Sequence, residues 1–329
     1  MAKLSNTESI DAVEQRLTLP GAAKKKRRTE WFYLKKNSEL LLLLTPGALL
    51  LLIFSYLPMF GTVLAFKDFR YDKGFWGSEW IGFDNFKFFF VSDNAWLITR
   101  NTVGYGLVYM ILTTVIALTF AILMNEMGKK WLRIHQTAMF IPYCLSWVVV
   151  SYLALALLDS SNGYLNKILE FFHMETHMWY LETKPWPYIL ISAYLWKNIG
   201  FSTLVYFAGI MGINQEYYEA AKIDGASRWQ MATRITLPML STLIVVLLIL
   251  AIGHIFVGDF GLHYFIPNNN GMTFPTTDII DTYVFRALRV YGDIGMSTAI
   301  GLYQSIVGLV LVITANFVVR KISEENSLF

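Results

Sequence analysis

Six apolar stretches, each long enough to cross the hydrocarbon core of a bilayer, constrain this chain more than any other feature of its sequence. They cover residues 40–66, 102–124, 137–158, 188–211, 235–257 and 296–319. In lipid, a helix satisfies its backbone polar groups internally, whereas an open strand leaves them unpaired. The sequence therefore predicts an all-α polytopic membrane protein with six transmembrane helices.

The composition excludes several classes of protein. Of the 329 residues, 55% are hydrophobic and 16% are charged, whereas an average soluble protein has roughly 25% charged residues. A soluble domain of this composition would expose enough apolar surface to aggregate. This argues against a soluble enzyme, a disordered chain and a nucleic-acid binder. The single cysteine, Cys144, excludes an intramolecular disulfide and a cysteine-based metal cluster.

A polar, basic segment precedes the first apolar stretch. We predict that residues 1–39 form a cytoplasmic tail and that residues 40–329 form the transmembrane domain. Fifteen Lys and Arg residues lie in the tail, in the second-to-third and fourth-to-fifth connections and at the C-terminal end, against nine on the opposite side. Because cytoplasmic loops carry the excess of Lys and Arg, both termini are predicted to lie in the cytoplasm, with the chain in the cytoplasmic (inner) membrane.

No nucleotide-binding or metal-binding motif is present in the sequence. The pair Gly128-Lys129 lacks the Ser or Thr and the upstream glycine of a phosphate-binding loop. His173 and His177 are four residues apart, but the glutamate of a zinc-protease motif is displaced by one position. We therefore predict no catalytic residues, no metal site and no cofactor on this chain. If ATP drives its function, separate subunits must bind the nucleotide.

The connection formed by residues 214–238 is the most informative segment. Good helix formers precede Gly225, and a glycine in the left-handed conformation commonly ends a helix. Ser227 is a suitable cap for a second short helix, and Pro238 suits the first turn of the span that follows. The residues alone predict two short cytoplasmic helices broken at Asp224-Gly225. This pattern is equally compatible with an ordinary helical loop that has no special function.

This segment resembles the EAA motif of permease subunits in binding-protein-dependent ABC importers. Three short runs carry the resemblance: Glu219, Ala220 and Ala221, then Asp224, Gly225 and Ala226, then Ile235, Leu237 and Pro238. The sequence departs from the sugar-importer pattern at Ala232, where a bulky residue is usual. The runs Tyr56–Gly61, Trp80–Phe83 and Trp196–Asn198 are similar to oligosaccharide and polysaccharide-fragment permeases.

The resemblance implies a fold and a set of partners. The fold is a maltose-type ABC importer core of about six helices that pairs with a second, homologous permease subunit. The partners are two ATPase subunits that hold ATP and Mg, an extracytoplasmic solute-binding protein and the glycan substrate, all around a chain embedded in membrane lipid. The segment 214–238 would couple the chain to the ATPase subunits.

Lys197 stands out within the fourth apolar stretch. It lies nine residues after Tyr188, about 14 Å into a helix. Polar groups at such depth usually face a partner or a water-filled path. The predicted substrate path comprises Tyr194, Trp196, Lys197 and Asn198, together with His254, Asp259 and Gln304. As an alternative, Lys197 pairs structurally with a carboxylate or a helix end.

The sequence thus predicts a transmembrane subunit of an ATP-driven importer of oligo- or polysaccharides. An acidic, alginate-like or pectin-type glycan would suit a buried Lys197. The alternative is a secondary transporter driven by an ion gradient, which predicts paired carboxylates that the spans lack. The external loops 67–100, 159–187 and 258–295 are expected to dock the binding protein, although their aromatic residues also suit packing at the lipid interface.

Overall fold

The computed structural model describes residues 37–322. Except for its last three residues, the predicted tail lies outside the described part of the chain. The described chain divides into two units, one up to Gly61 and the other from Thr62 onward. The first unit contains helix α1 (Ser38–Leu51) and a π-helical turn (Leu52–Tyr56), and a 3-10 segment follows (Leu57–Phe66).

The helix of the first unit is apolar on all sides. Its leucine side chains are exposed, as expected for a segment whose neighbours are lipid tails or another membrane helix. Pro58 lacks the N–H group that would continue the α-helical pattern, and its ring crowds the preceding turn. The regular helix accordingly gives way to the π-helical turn just before this proline.

The second unit begins with a small ribbon and two short helices. Strand β1 (Lys67–Asp68) pairs antiparallel with β2 (Glu79–Trp80), with Lys67 opposite Trp80. Helix α2 (Gly74–Gly77) lies between the strands, and α3 (Asp84–Val91) follows them.

The rest of the described chain is helical. The longer helices are α4 (Asp93–Asn125), α5 (Lys129–Phe140), α6 (Trp147–Leu158), α7 (Tyr164–Phe171), α8 (Trp186–Met211) and α9 (Gln215–Ile223). They continue with α10 (Arg228–Met231), α11 (Leu237–Met239), α12 (Ser241–Gly253), α13 (Phe260–Phe265), α14 (Phe274–Thr277), α15 (Ile280–Val290) and α16 (Ile294–Ile322).

Helices α4 and α8 pack along each other and form the centre of the second unit. Toward one end, Tyr105, Tyr109, Trp186 and Leu190 join a buried cluster with residues of α6 and α13. Toward the other end, a second cluster is formed by buried apolar side chains: Ala117, Ala121, Met124, Tyr206, Phe207, Ile210 and Leu240. Helix α16 packs on α12 and α15.

Two of the predicted spans are broken rather than straight. Between α5 and α6, which cover the third apolar stretch, the chain passes through a 3-10 turn (Ile141–Cys144) and bends by 96°. Pro142 and the extended Leu145 end the first helix, and the Ser146 hydroxyl caps the second by accepting from Val149 N at 3.3 Å. A second bend of 60° lies within the fifth predicted span, between α11 and α12.

The number of transmembrane helices remains a prediction. Within residues 37–322, three helices are long and apolar enough to cross a membrane, and five spans result if each bent pair counts as one. Helix α8, the predicted fourth span, is continuous over 26 residues, but Lys197 and Asn198 lower its hydropathy. A helical chain with several apolar helices is nevertheless what the structure shows.

Gly200 generates a testable prediction about helix packing. A Cβ atom at this position of α8 would lie 1.7 Å from the carbonyl oxygen of Met139 in α5. Gly200→Ala is therefore expected to push the helices apart, at a cost of about 1–3 kcal/mol, and to lower the melting temperature of the purified protein in detergent.

Gly301→Ala is the matched control, because a Cβ atom at Gly301 in α16 has no neighbour within 4 Å. Both substitutions gain the same helix propensity. A Gly200→Ala protein as stable as the Gly301→Ala protein would contradict the close contact.

Candidate functional site

A cavity of about 550 Å³ lies between α4, α8 and the connection from α12 to α13. Four residues of the predicted substrate path line it: Tyr194, Asn198, His254 and Asp259. Tyr194 and Asn198 share one face of α8 because residues four apart lie one above the other on a helix. The cavity therefore brings together aromatic, amide, imidazole and carboxylate groups.

Stacked tyrosines form one wall of the cavity. The rings of Tyr109 and Tyr194 are nearly parallel, with centroids 3.9 Å apart, and Tyr105 stacks on Tyr109 at 5.6 Å. The Tyr105 hydroxyl donates to the carbonyl oxygen of Thr276 at 2.7 Å. These hydrogen bonds and stacking contacts fix the orientation of the aromatic wall.

His263 holds the Tyr109 hydroxyl in place. Its Nδ1 lies 2.8 Å from the carbonyl oxygen of Thr277, which only accepts, so Nδ1 carries the proton. Nε2 then accepts from the Tyr109 hydroxyl at 3.2 Å. Burial lowers the pKa of His263 to about 4, which keeps the ring neutral at physiological pH.

Lys197 does not line this cavity. Its ammonium group donates to the carbonyl oxygen of Tyr143 at 2.9 Å and lies over the rings of Tyr143 and Trp147, at 5.1 and 5.2 Å. The side chain is only 9% exposed. Tyr143 belongs to the 3-10 turn at the break between α5 and α6, where backbone carbonyl groups lack helical partners. These contacts resemble the alternative named in the sequence analysis, in which Lys197 pairs structurally with a helix end.

Trp147 connects Lys197 to the cavity. Its indole Nε1 donates to Asp259 Oδ2 at 3.0 Å, and Asp259 Oδ1 accepts from the backbone N–H of Leu262 at 3.2 Å. Gly261 lies against the indole, since a Cβ atom there would approach Trp147 Cδ1 to 2.3 Å. Burial raises the pKa of the Asp259 carboxyl, while the bonds from Leu262 and Trp147 and the charge of Lys197 oppose this rise.

Trp196 and Gln304 lie apart from the cavity. Trp196 is 49% exposed and borders a separate apolar groove with Tyr164 and Tyr188. The Gln304 amide donates to the carbonyl oxygen of Phe256 at 2.7 Å and to Asp281 Oδ2 at 3.3 Å. Gln304 therefore secures the chain beyond α12 and does not line the cavity.

Sequence reasoning missed Tyr105, Tyr109, Trp147 and His263 as parts of the site. The available signal was the spacing of Tyr105 and Tyr109, which places two tyrosines on one face of an otherwise apolar helix. The role of His263 depends on distant parts of the chain, because its partners lie in α4 and at the end of α14.

The connection 214–238 contains the two short helices that the sequence predicts. Gly225 has φ +76°, and the chain closes the end of α9 with bonds from Gly225 N to Lys222 O (3.1 Å) and from Ala226 N to Ala221 O (2.9 Å). Ser227 and Gln230 form a reciprocal capping box at the start of α10, with distances of 3.3 and 2.7 Å.

A hydrogen bond across the break braces α9. The Tyr218 hydroxyl of α9 lies 2.9 Å from Thr236 Oγ1, in the π-helical turn (Ala232–Thr236) that continues α10. Large apolar side chains are nevertheless exposed here, with Tyr217 at 54%, Trp229 at 77% and Ile223 at 88%. Ala232, where the sugar-importer pattern usually has a bulky residue, is buried and does not contribute to this exposed surface.

The motif residues differ in their accessibility. The exposed members are Glu219, Ala220, Asp224, Gly225 and Pro238, and the half-buried members are Ala221, Ala226, Ile235 and Leu237. The exposed members and the apolar side chains form a rigid surface that faces away from the helix packing.

Apolar helices, a cavity between them and an exposed helical projection define an integral membrane component of a transport system. Residues 114–324 match the family described as binding-protein-dependent transport system inner membrane component. This match covers more than half of the chain, and the chain belongs to that family.

Similar proteins agree with this assignment. Protein LplB of Bacillus subtilis (strain 168) is 37% identical over 84% of this chain and 86% of its own length. The polygalacturonan/rhamnogalacturonan transport system permease protein YteP of the same organism is 35% identical over 84% and 85%.

Two solved structures are also similar. A bacterial ABC transporter involved in the import of the acidic polysaccharide alginate superposes with a TM-score of 0.82, at 33% identity, over 90% of this chain and 99% of the other. A bacterial alginate ABC transporter in complex with an alginate pentasaccharide-bound periplasmic protein gives a TM-score of 0.80, at 32% identity, over 89% and 98%.

The environment of Lys197 generates a second prediction. Lys197→Met retains the apolar stem but leaves the Tyr143 carbonyl without its donor, which costs about 1–3 kcal/mol. We expect a lower melting temperature in detergent. Lys167→Met is the control, because Lys167 lies over the Tyr164 ring at the surface. If Lys197→Met keeps wild-type stability and loses only uptake, the ammonium group acts in the substrate path.

Proposed function

We propose that this chain is one of two transmembrane subunits of an ATP-driven importer of oligo- or polysaccharides. Membership of the binding-protein-dependent family supports the importer assignment, and the names of the similar proteins support a polysaccharide substrate. The observation that carries the proposal is the projection around Gly225, which consists of α9, the turn at Gly225 and α10. A membrane component whose sequence has no phosphate-binding loop needs such a surface to receive force from an ATPase subunit.

The projection is suited to this task. Its two helices are capped at the break, and the bond between Tyr218 and Thr236 ties α9 to the π-helical turn that continues α10, so that a push on α9 reaches the chain that leads into the fifth predicted span. Glu219 is exposed and available for a charge-assisted hydrogen bond from a basic residue of an ATPase subunit. Exposed Trp229 and Ile223 supply apolar area for docking.

The cavity beside α4 and α8 is the proposed part of the substrate path on this chain. Tyr105 and Tyr109 are buried, so the partly exposed ring of Tyr194 offers the face on which a sugar ring stacks. Asn198, His254 and Asp259 offer partners for hydroxyl groups. In the proposed assembly a second permease subunit completes the path, and a solute-binding protein delivers the glycan to the external loops. ATP and Mg are held by the two ATPase subunits.

The coupling role is tested by Gly225→Val and Glu219→Ala. A β-branched residue at φ +76° is strained and tilts α9 against α10, whereas the membrane helices do not depend on this turn. We expect weaker co-purification of the ATPase subunits, or ATP hydrolysis that no longer drives uptake, in vesicles containing the complete complex and loaded binding protein.

Gly292→Val is the matched control, since Gly292 also has a positive φ (+69°) and no neighbour within 4 Å. It should leave ATPase binding intact. Normal sugar-stimulated hydrolysis and uptake in both Gly225→Val and Glu219→Ala would defeat the coupling assignment. Uptake that persists without ATPase subunits and stops when an ion gradient is collapsed would show a secondary transporter.

The proposed orientation places both termini in the cytoplasm. A green fluorescent protein fused after Phe329 should therefore fluoresce, and alkaline phosphatase at the same position should be inactive. The reverse result is expected for fusions to a chain truncated at His173, in a predicted external loop. Active phosphatase at Phe329 is incompatible with this orientation.

A further inference from the structure

The charges around the cavity carry a further inference. Among the residues that the structure describes, Asp259 is the only acidic residue in the cavity lining, and neither Lys nor Arg contributes to it. The Asp259 carboxylate accepts hydrogen bonds from Trp147 Nε1 and from the backbone N–H groups of Leu262 and Gly261. Because a carboxylate offers about four acceptor positions, it retains capacity for a ligand hydroxyl.

The cations of the neighbouring elements are directed elsewhere. The Lys197 ammonium binds the Tyr143 carbonyl beneath two aromatic rings. The Arg100 guanidinium binds Asn101 Oδ1 and the carbonyl oxygen of Pro275. Arg286 pairs with Asp278 and lies over the Phe274 ring, 4.0 Å from its centroid. None of the three lines the cavity.

We infer that the sugar unit seated in this cavity is uncharged and that Asp259 is the residue that excludes a uronate. The Asp259 carboxylate accepts a hydrogen bond from a sugar hydroxyl group, the amide of Asn198 adds a second polar contact, and the partly exposed ring of Tyr194 supplies the stacking surface. A uronate carboxylate in the same place would meet a like charge, and none of the described residues that line the cavity is a Lys or Arg that could bind it. The Lys197 charge acts on Asp259 itself, and its ammonium group donates to the Tyr143 carbonyl. The inference rests on the proposed function, and it departs from the acidic polysaccharides named for the similar proteins.

The test compares ligands that share a sugar backbone and differ at C6, where one member of each pair has a carboxylate and the other an uncharged group. The transporter assembled with its partner permease and ATPase subunits, without binding protein, is titrated calorimetrically with an oligogalacturonide and with its fully methyl-esterified form. A β-1,4-glucuronan oligomer and the corresponding β-1,4-glucan oligomer form a second pair. We expect the uncharged member to bind at least about tenfold more tightly in the pair that fits the cavity.

Two variants and one control test whether Asp259 causes the preference for the uncharged ligand. Asp259→Asn removes the charge while nearly conserving shape, so the affinity ratio should fall toward one through tighter binding of the uronate. Asp281→Asn is the matched control: this carboxylate also accepts a backbone N–H, from Gly258, but does not line the cavity, and the ratio should be preserved. His254→Lys, at an exposed position of the lining, adds a cation and should also favour the uronate.

The outcomes separate the inference from the proposed function. A wild-type complex that binds the uronate as tightly as the uncharged form, or a ratio unchanged in both Asp259→Asn and His254→Lys, overturns the inference. The inference also fails if no pair binds while vesicles show ATP-driven glycan uptake, and in that case the proposed function stands. Absence of any ATP-driven glycan uptake by the complete complex refutes the proposed function itself.

Discussion

The second unit depends on satisfying a backbone carbonyl group at a break between helices. Where α5 ends and the chain turns by 96° into α6, the Tyr143 carbonyl has no helical partner, and the Lys197 ammonium of α8 supplies one. In surroundings of low polarity an unpaired carbonyl is expensive, and so is an unpaired ammonium. The hydrogen bond between them satisfies both groups and holds α8 against the break.

The same region organises the cavity. Trp147 begins the helix after the break, lies beneath the Lys197 charge and donates to Asp259. Asp259 in turn caps α13, from which His263 reaches the Tyr109 hydroxyl. A continuous set of contacts thus runs from the break to the aromatic wall, so that a movement of α6 relative to α8 would alter the cavity lining.

Local features of the structure could be predicted from the sequence, whereas distant pairings could not. The turn at Gly225 and the cap at Ser227 need only neighbouring residues, and the structure has both. The predicted substrate path grouped Tyr194, Lys197 and Asn198 together, although the helical repeat places Asn198 on the face of Tyr194 and Lys197 about 100° from Asn198. The Tyr143 carbonyl that binds Lys197 is 54 residues away in the chain, and no local pattern encodes that pairing.

The 3-10 turn at the break ends in Cys144, which is exposed and is the only cysteine of the chain. A thiol-reactive fluorophore or spin label therefore attaches at one position without prior mutagenesis. That position directly follows Tyr143, the residue whose carbonyl group receives the Lys197 ammonium. The native sequence thus provides a spectroscopic reporter at the break between α5 and α6, where the emission of a fluorophore or the mobility of a spin label reports on its surroundings during the working cycle.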